Sequence, residues 1–179
     1  TAGNSTESSA VSFVVDTNNT LTVGAAGADF TTIQEAVTKA SSGDIISVAS
    51  GTYAGEITVD KSLTIKGANA GIAGNGVRGA ESIIDGNDVT SPVDKGFIVS
   101  AGNLVVTIDG FKFTDNSPLH DNYASGAFHT TDITFTNNIV SSGNALQTTD
   151  PTSNWRDITV TNNKFEDINM EATASAVYL

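Results

Sequence analysis

The chain has 179 residues, which is the usual size of one domain. It carries 20 acidic residues against 8 Lys and Arg, and its net charge of −12 argues against nucleic acid or an anionic membrane surface as a partner. Cysteine is absent, which excludes disulfides, thiolate zinc sites and cysteine nucleophiles. No apolar run approaches the roughly 18 residues of a membrane span, so we expect no membrane insertion.

The chain begins with a polar segment followed by a short apolar run. We predict a flexible leader plus one strand in residues 1–20, and a single domain over residues 21–179. The predicted strand of the leader contains Val11, Phe13, Val14 and Val15. Its apolar side chains could pair with the open edge of a neighbouring molecule or fold back over the chain's own first strands.

One segment has the pattern of a helix. Ile33, Ala36 and Val37 fall on a single helical stripe, and Thr31 and Thr32 precede Gln34 and Glu35 with the spacing of an N-terminal capping box. We therefore predict a short capping helix at about residues 31–41, ended by the glycine at position 43.

Short strand patterns follow the helix, separated by residues typical of turns. The predicted strands lie at 44–48, 57–59, 63–67, 82–86, 97–99 and 105–110. We predict a corner at 50–53, a long glycine-rich loop at 67–80 and another loop at 117–130. The histidines of that last loop, His120 and His129, are predicted to be surface residues without a metal-binding spacing.

Two later segments are nearly identical. Residues 132–138 and 157–163 share the pattern Asp-Ile-Thr-x-Thr-Asn-Asn at an offset of 25 residues. A repeat of this length built from alternating strands is typical of a solenoid in which equivalent residues stack in columns. Ile133, Phe135, Ile158 and Val160 are expected to point inward, and the asparagines are expected to form ladders at a corner.

The first half of the chain resembles the opening of pectin-lyase-like right-handed β-helix proteins, among them the pectinesterases. The resemblance is carried by residues 30–37, 43–48, 51–53, 57–59 and 63–67, and it extends over about 28–86. It implies an all-β fold, a right-handed parallel β-helix or solenoid, with one short N-terminal capping helix that includes Ile33, Ala36 and Val37. Because this superfamily contains enzymes and non-enzymes, the resemblance implies little about activity.

The catalytic motifs of pectinolytic families are absent from the sequence. It has no Asn-Thr-Asp, Gly-His-Gly or Arg-Ile-Lys of the polygalacturonases, and it lacks the pectinesterase regions that carry the paired aspartates. Lys112, Arg156 and Lys164 could serve as bases of a lyase, but no acidic cluster accompanies them. We expect no catalytic residues and leave the enzymatic alternative open.

No cofactor is predicted, although calcium is considered. Asp85, Asp109 and Asp115 fall where the pattern places corners, and carboxylates can bind calcium together with backbone carbonyls. The same residues also fit ordinary solvated turns.

The last residues of the chain are apolar. Val177, Tyr178 and Leu179 predict a final strand, and we expect it to leave the end of the solenoid open. Copies of the chain could then stack head to tail into an extracellular filament or matrix through this end and the strand at 11–15. The sequence predicts a non-catalytic structural or adhesive protein, extracellular or on the cell surface. The alternative is a module that binds or degrades polysaccharide.

Overall fold

A computed structural model describes residues 19–86, 95–115, 117–121, 131–143 and 157–168. In these residues the chain forms the helix α1 (Ile33–Lys39) and fourteen short strands. The strands are β1 (Thr20–Val23), β2 (Ile45–Val48), β3 (Gly51–Ala54), β4 (Ile57–Val59), β5 (Leu63–Lys66), β6 (Ser82–Asp85), β7 (Lys95–Val99), β8 (Val105–Asp109), β9 (Lys112–Thr114), β10 (Ser117–Asp121), β11 (Asp132–Thr136), β12 (Ile139–Gly143), β13 (Asp157–Thr161) and β14 (Lys164–Ile168).

The strands form three sheets in which every pairing is parallel. Sheet A has the order β1-β2-β5-β8-β11-β13, sheet B the order β14-β12-β9-β6-β3, and sheet C the order β10-β7-β4. The chain visits A, B and C in this cyclic order and then returns to the next strand of A. We number these passages as levels: level 1 is β2–β4, level 2 β5–β7, level 3 β8–β10, level 4 β11–β12 and level 5 β13–β14.

Alternation of apolar and polar residues places one row of each strand in the core. In sheet A the register aligns Ile46, Ile65, Ile108, Phe135 and Val160 in one inward column. The predicted match between 132–138 and 157–163 is confirmed, because each residue from Asp132 to Thr136 pairs with its equivalent in β13. A slip of one residue would turn every apolar side chain of the column outward, so the repeat fixes the register.

The inward side chains of all three sheets meet in a single core. Phe97 from sheet C, Phe113 from sheet B and Phe135 from sheet A belong to one buried cluster together with Phe111. The ring centroids of Phe97 and Phe111 are 5.6 Å apart, and those of Phe113 and Phe135 are 5.5 Å apart. Tilted and edge-on ring pairs of this kind stabilise a core beyond the burial of their area.

The coarse prediction of an all-β chain with parallel sheets and one short helix is confirmed, while two local predictions are wrong. Three of the four residues of the corner predicted at 50–53 belong instead to the edge strand β3, which pairs with β6. The first five residues of the loop predicted at 117–130 form β10, and His120 in this strand is 3% exposed rather than on the surface. The residues of β10 form a strand because they pair in parallel with β7, and the local sequence of 117–121 gives no sign of that neighbour.

Some predicted segments lie outside the described residues, among them the leader strand at 11–15, His129 and the apolar end at 177–179. Within the described part of the chain, no helix has the length and apolar character required to cross a membrane.

Candidate functional site

The beginning of the stack is closed by α1. Ile33, Ala36 and Val37 are buried, and the helix packs against β1, β2 and β4. The Glu35 N–H donates to the Thr32 side-chain oxygen at 3.2 Å, which satisfies one free amide of the first turn. At the other end of the helix the Lys61 ammonium donates to the Val37 carbonyl oxygen at 3.0 Å, where a cation is favoured.

A glutamine of α1 covers the backbone edge of sheet C. The Thr58 N–H in β4 donates to Gln34 Oε1 at 2.7 Å, and Gln34 Nε2 donates back to the Thr58 carbonyl at 3.4 Å. The side-chain amide thus takes the place of a neighbouring strand. Because β4 is the edge strand of sheet C in the described structure, this pairing hinders the addition of a further strand.

The edge of sheet A is covered in a similar way. Asp29 Oδ2 accepts from the Thr22 N–H at 2.9 Å and from the Thr22 hydroxyl at 2.7 Å, while the Phe30 N–H donates to the Thr22 carbonyl at 3.0 Å. These bonds from the Thr22 hydroxyl and amide hold the pKa of the Asp29 carboxyl below its ordinary value. A second strand cannot pair with β1 at Thr22 without displacing them.

A cleft of about 330 Å³ lies between the start of α1 and strands β3 and β4. Its lining includes Thr32, Gln34, Thr52 and Tyr53, so it offers hydroxyls and an amide. The Tyr53 hydroxyl donates to the Ala49 carbonyl at 2.9 Å, and burial raises the pKa of this phenol. The Gln34 amide and the Tyr53 hydroxyl are therefore already hydrogen-bonded within the chain, and the described lining of the cleft contains no carboxylate.

The opposite end of the described stack, formed by β13 and β14, leaves apolar side chains in contact with water. Phe165 is 46% exposed, although Phe113 and Val140, which share its inward column in sheet B, are fully buried. Ile158 and Val160 in sheet A are half-buried and pack against the core from one side. We call Ile158, Val160 and Phe165 the apolar end.

Charged side chains flank the apolar end. Lys164 Nζ lies 2.6 Å from Glu166 Oε2, and the Ser141 hydroxyl donates to Glu166 Oε1 at 2.7 Å. The hydrogen bonds from Lys164 and Ser141 lower the pKa of the Glu166 carboxyl. Both charges of this pair are partly solvated, so the pair contributes little stability.

The asparagines form the turn between sheets A and B. Asn138 Nδ2 donates to the Ile108 carbonyl and its Oδ1 accepts from the Phe111 N–H. Asn163 repeats this one level on, with donation to the Phe135 carbonyl and acceptance from the Asn138 N–H. The predicted ladder is therefore wrong in one respect: these amides bind the backbone of the preceding turn, because that turn leaves its own groups unpaired.

The residue before each of these asparagines has a left-handed backbone conformation. Asn137 has a φ of 55° and Asn162 a φ of 56°, while Gly110 occupies the equivalent position of level 3 with a φ of 81°. Asparagine and glycine tolerate this conformation better than other residues. The turn chemistry thus explains why Asn-Asn recurs in the repeat.

The loop at 67–81 runs along this corner and connects several levels. Its Gly67 and Gly71 amides donate to Asp109 in level 3, and the Gly74 N–H donates to the Asn162 carbonyl in level 5. The loop connects β5 and β6 of level 2. Level 2 therefore bonds directly to level 5 through a segment that is not itself part of a sheet.

Arg78 holds the loop in place and was not predicted as a special residue. Its guanidinium forms a two-pronged ion pair with Glu81 at 2.8 and 2.9 Å and also donates to the carbonyls of Ile72, Asn137 and Phe111. The Arg78 side chain is 5% exposed. A planar guanidinium with five donors suits this position in a way that an ammonium does not.

The three calcium candidates do not form one site. Asp85 ends β6 in sheet B and Asp115 follows β9 in the same sheet, whereas Asp109 ends β8 in sheet A. Asp109 Oδ1 accepts from Asn137 Nδ2 at 2.7 Å, and Asp85 Oδ1 accepts from the Thr114 hydroxyl at 3.5 Å. No group of three metal-binding side chains occurs within the described ranges.

The remaining predicted site residues are only partly covered by the structure. Lys112 and Lys164 lie in one outward column of sheet B with Ile139 between them. Arg156, the interface residues Val11, Phe13, Val14 and Val15, and the terminal residues Val177, Tyr178 and Leu179 lie outside the described residues.

No family model, curated protein or solved structure matches the chain.

Proposed function

We propose that the chain is a right-handed parallel β-helix that serves as a non-catalytic structural or adhesive protein outside the cell, and that it assembles end to end through its apolar end. The observation that carries the proposal is the 46% exposure of Phe165 beside column neighbours that are fully buried. A phenylalanine that continues a core column favours a further layer that would remove its exposed surface from water.

The β-helix architecture is supported by the cyclic order of the three parallel sheets. Parallel strands joined by crossover connections adopt a right-handed path almost without exception, and this supports the right-handed form. The low proportion of charged residues, 16%, and the abundance of threonine and asparagine accord with the pectin-lyase-like resemblance and with a location on the cell surface or outside the cell.

The hydrogen bonds at the first end of the stack, where α1 lies, limit how two copies of the chain can associate. A head-to-tail stack on the first strands would have to remove Gln34 from Thr58 in β4 and Asp29 from Thr22 in β1. Two β13–β14 ends can meet without breaking these bonds. End-to-end pairs with two-fold symmetry are therefore the proposed assembly, and such pairs close rather than grow into filaments.

The test is the molar mass by light scattering across a wide range of concentrations, with negative-stain electron microscopy of the same samples. The wild type is expected to double its mass as the concentration rises, and Phe165→Ser is expected to stay monomeric. The matched control is Val105→Ser, because Val105 is 59% exposed but lies in β8, away from the apolar end.

A wild type that stays monomeric throughout would refute the assembly. Equal association of the wild type and Phe165→Ser would move the contact to another surface. Long filaments in the micrographs would show that the covered end also takes part, as the sequence alone predicted.

The proposal that the chain is not an enzyme is tested separately. The chain is incubated with a panel of neutral and acidic polysaccharides, with and without a chelator, and reducing ends and unsaturated products are measured. No product is expected. Product formation that is lost in Lys164→Ala or Arg156→Ala would establish an enzyme instead.

A further inference from the structure

The outward side of sheet A carries a column of threonines. The register aligns Thr64, Thr107, Thr134 and Thr159 across levels 2 to 5. These side chains are half-buried or exposed, and they alternate with fully buried inward residues such as Ile108 and Phe135. Four consecutive levels thus present the same hydroxyl and the same methyl group at the same place.

A second column stands beside the first at levels 4 and 5. Thr136 and Thr161 are register partners two residues further along their strands, and their hydroxyl oxygens lie 3.0 Å apart. At levels 2 and 3 this column continues as Lys66 and Asp109. We call the six threonines of both columns the threonine patch: Thr64, Thr107, Thr134, Thr136, Thr159 and Thr161.

The backbone positions that carry the threonine patch form a nearly rectangular grid. Adjacent strands lie about 4.8 Å apart, and residues i and i+2 of one strand lie about 6.6 Å apart. The grid is held rigidly because the inward column behind it is packed in the core. The prism faces of hexagonal ice present water oxygens on a rectangular grid with closely similar repeats in both directions.

The chemistry of the patch suits an uncharged ligand. The chain has a net charge of −12, yet the six side chains of the threonine patch carry no charge. A hydroxyl can donate and accept, as a water molecule does, while the adjacent methyl group limits the hydrogen bonds open to neighbouring waters. Sugar rings are commonly bound on aromatic platforms, and neither threonine column contains an aromatic residue.

We propose that the threonine patch is an ice-binding surface. Ordered waters bound to the hydroxyls of the first column match the lattice of ice and join the chain to the crystal, while the Thr136 and Thr161 hydroxyls beside them bind each other. The surface lies on the side of the stack, so this inference does not depend on assembly through the apolar end.

The experiment grows ice slowly on a cold surface from a dilute solution of the full chain and measures the protein in the ice and in the liquid. The wild type is expected to be enriched in the ice several-fold over an unrelated acidic protein of similar mass. Thr134→Tyr, at the centre of the patch, is expected to lose this enrichment. Val77→Tyr is the matched control, because Val77 is 97% exposed and lies in the loop at 67–81, outside the threonine patch.

Circular dichroism shows whether each variant is folded, and Thr159→Lys replaces Thr134→Tyr if the latter is not. Exclusion of the wild type from ice to the same degree as the unrelated protein would overturn the proposal. So would equal enrichment of the wild type and a folded patch variant. Sedimentation with microcrystalline cellulose or chitin but not with ice would also overturn it and identify a sugar-binding face.

Discussion

The two ends of the strand stack differ in how the core and the strand edges are covered. At the first end α1 covers the core, and Gln34 and Asp29 bind the backbone of the edge strands β4 and β1. At the other end Phe165 remains 46% exposed above a fully buried column. The comparison teaches that covering the end of a stack of parallel strands requires two things, an apolar lid for the core and polar side chains for the strand edges.

The cover at the first end is made of local parts. Asp29 lies seven residues from Thr22, and Gln34 reaches Thr58 from a helix that directly precedes level 1. The level 5 end is instead held from a distance by the loop at 67–81. The two ends should therefore respond differently to substitution.

The largest effect on stability is expected when the hydrogen bonds of Arg78 to distant levels are removed. Arg78→Met leaves the Glu81 carboxylate without its partner in a largely buried position and deprives the Asn137 carbonyl of a donor. We expect a loss of about 3–5 kcal/mol in the free energy of unfolding. Urea denaturation followed by circular dichroism measures it.

Lys164→Met is the control for this substitution, because it also removes a cation from an ion pair but from one that is partly solvated. The control is expected to cost less than about 1 kcal/mol. Equal losses in the two variants would mean that Arg78 does not couple the levels.

The next prediction compares the loss of stability when one apolar side chain is shortened at each end of the stack. Ile33→Ala should lower the free energy of unfolding by about 2–5 kcal/mol, because Ile33 is a buried residue of α1 that packs on the core. Phe165→Ala should lower it by far less, since nearly half of that side chain is already in water. Urea denaturation at a concentration where the chain is monomeric measures both, and similar losses would show that the apolar end is covered in solution.

The smallest effect separates the two carboxyls with lowered pKa values. Asp29 is stabilised by neutral donors of Thr22, whereas the main cause at Glu166 is Lys164. A lowered pKa means that each contribution is present above the ordinary value, 3.8 or 4.5, and is lost as the pH falls through the folded value. NMR titration should show that salt raises the pKa of Glu166 more than that of Asp29. Equal salt responses would contradict the assigned causes.

Part of this arrangement could be predicted from the sequence. Alternation and the repeat at 132–138 and 157–163 predicted the inward columns, and the capping pattern predicted a helix near its observed bounds, Ile33–Lys39. Strands β9, β10, β12 and β14 were not predicted, because short strands with many polar residues depend on neighbours that lie one level away. Strand β3 was predicted as a corner for the same reason.

The contacts that distinguish the ends could not be predicted. Gln34 is an ordinary helix residue in the sequence, and its partner Thr58 lies 24 residues away. Arg78 lies in a glycine-rich loop, and its Asn137 partner is 59 residues away. A side chain that binds distant backbone leaves no periodic pattern, so only the folded arrangement identifies it.

The asparagine turns would allow the stack to be lengthened by whole levels. Asn138 and Asn163 each satisfy the backbone of the level before their own, so a level brings with it the groups that its predecessor requires. Duplication of the 25-residue unit within the coding sequence would lengthen the stack by one strand spacing in sheets A and B, about 4.8 Å. The two nearly identical segments have the form that such a duplication would produce, so the length of the protein is a property that engineering can adjust in whole steps.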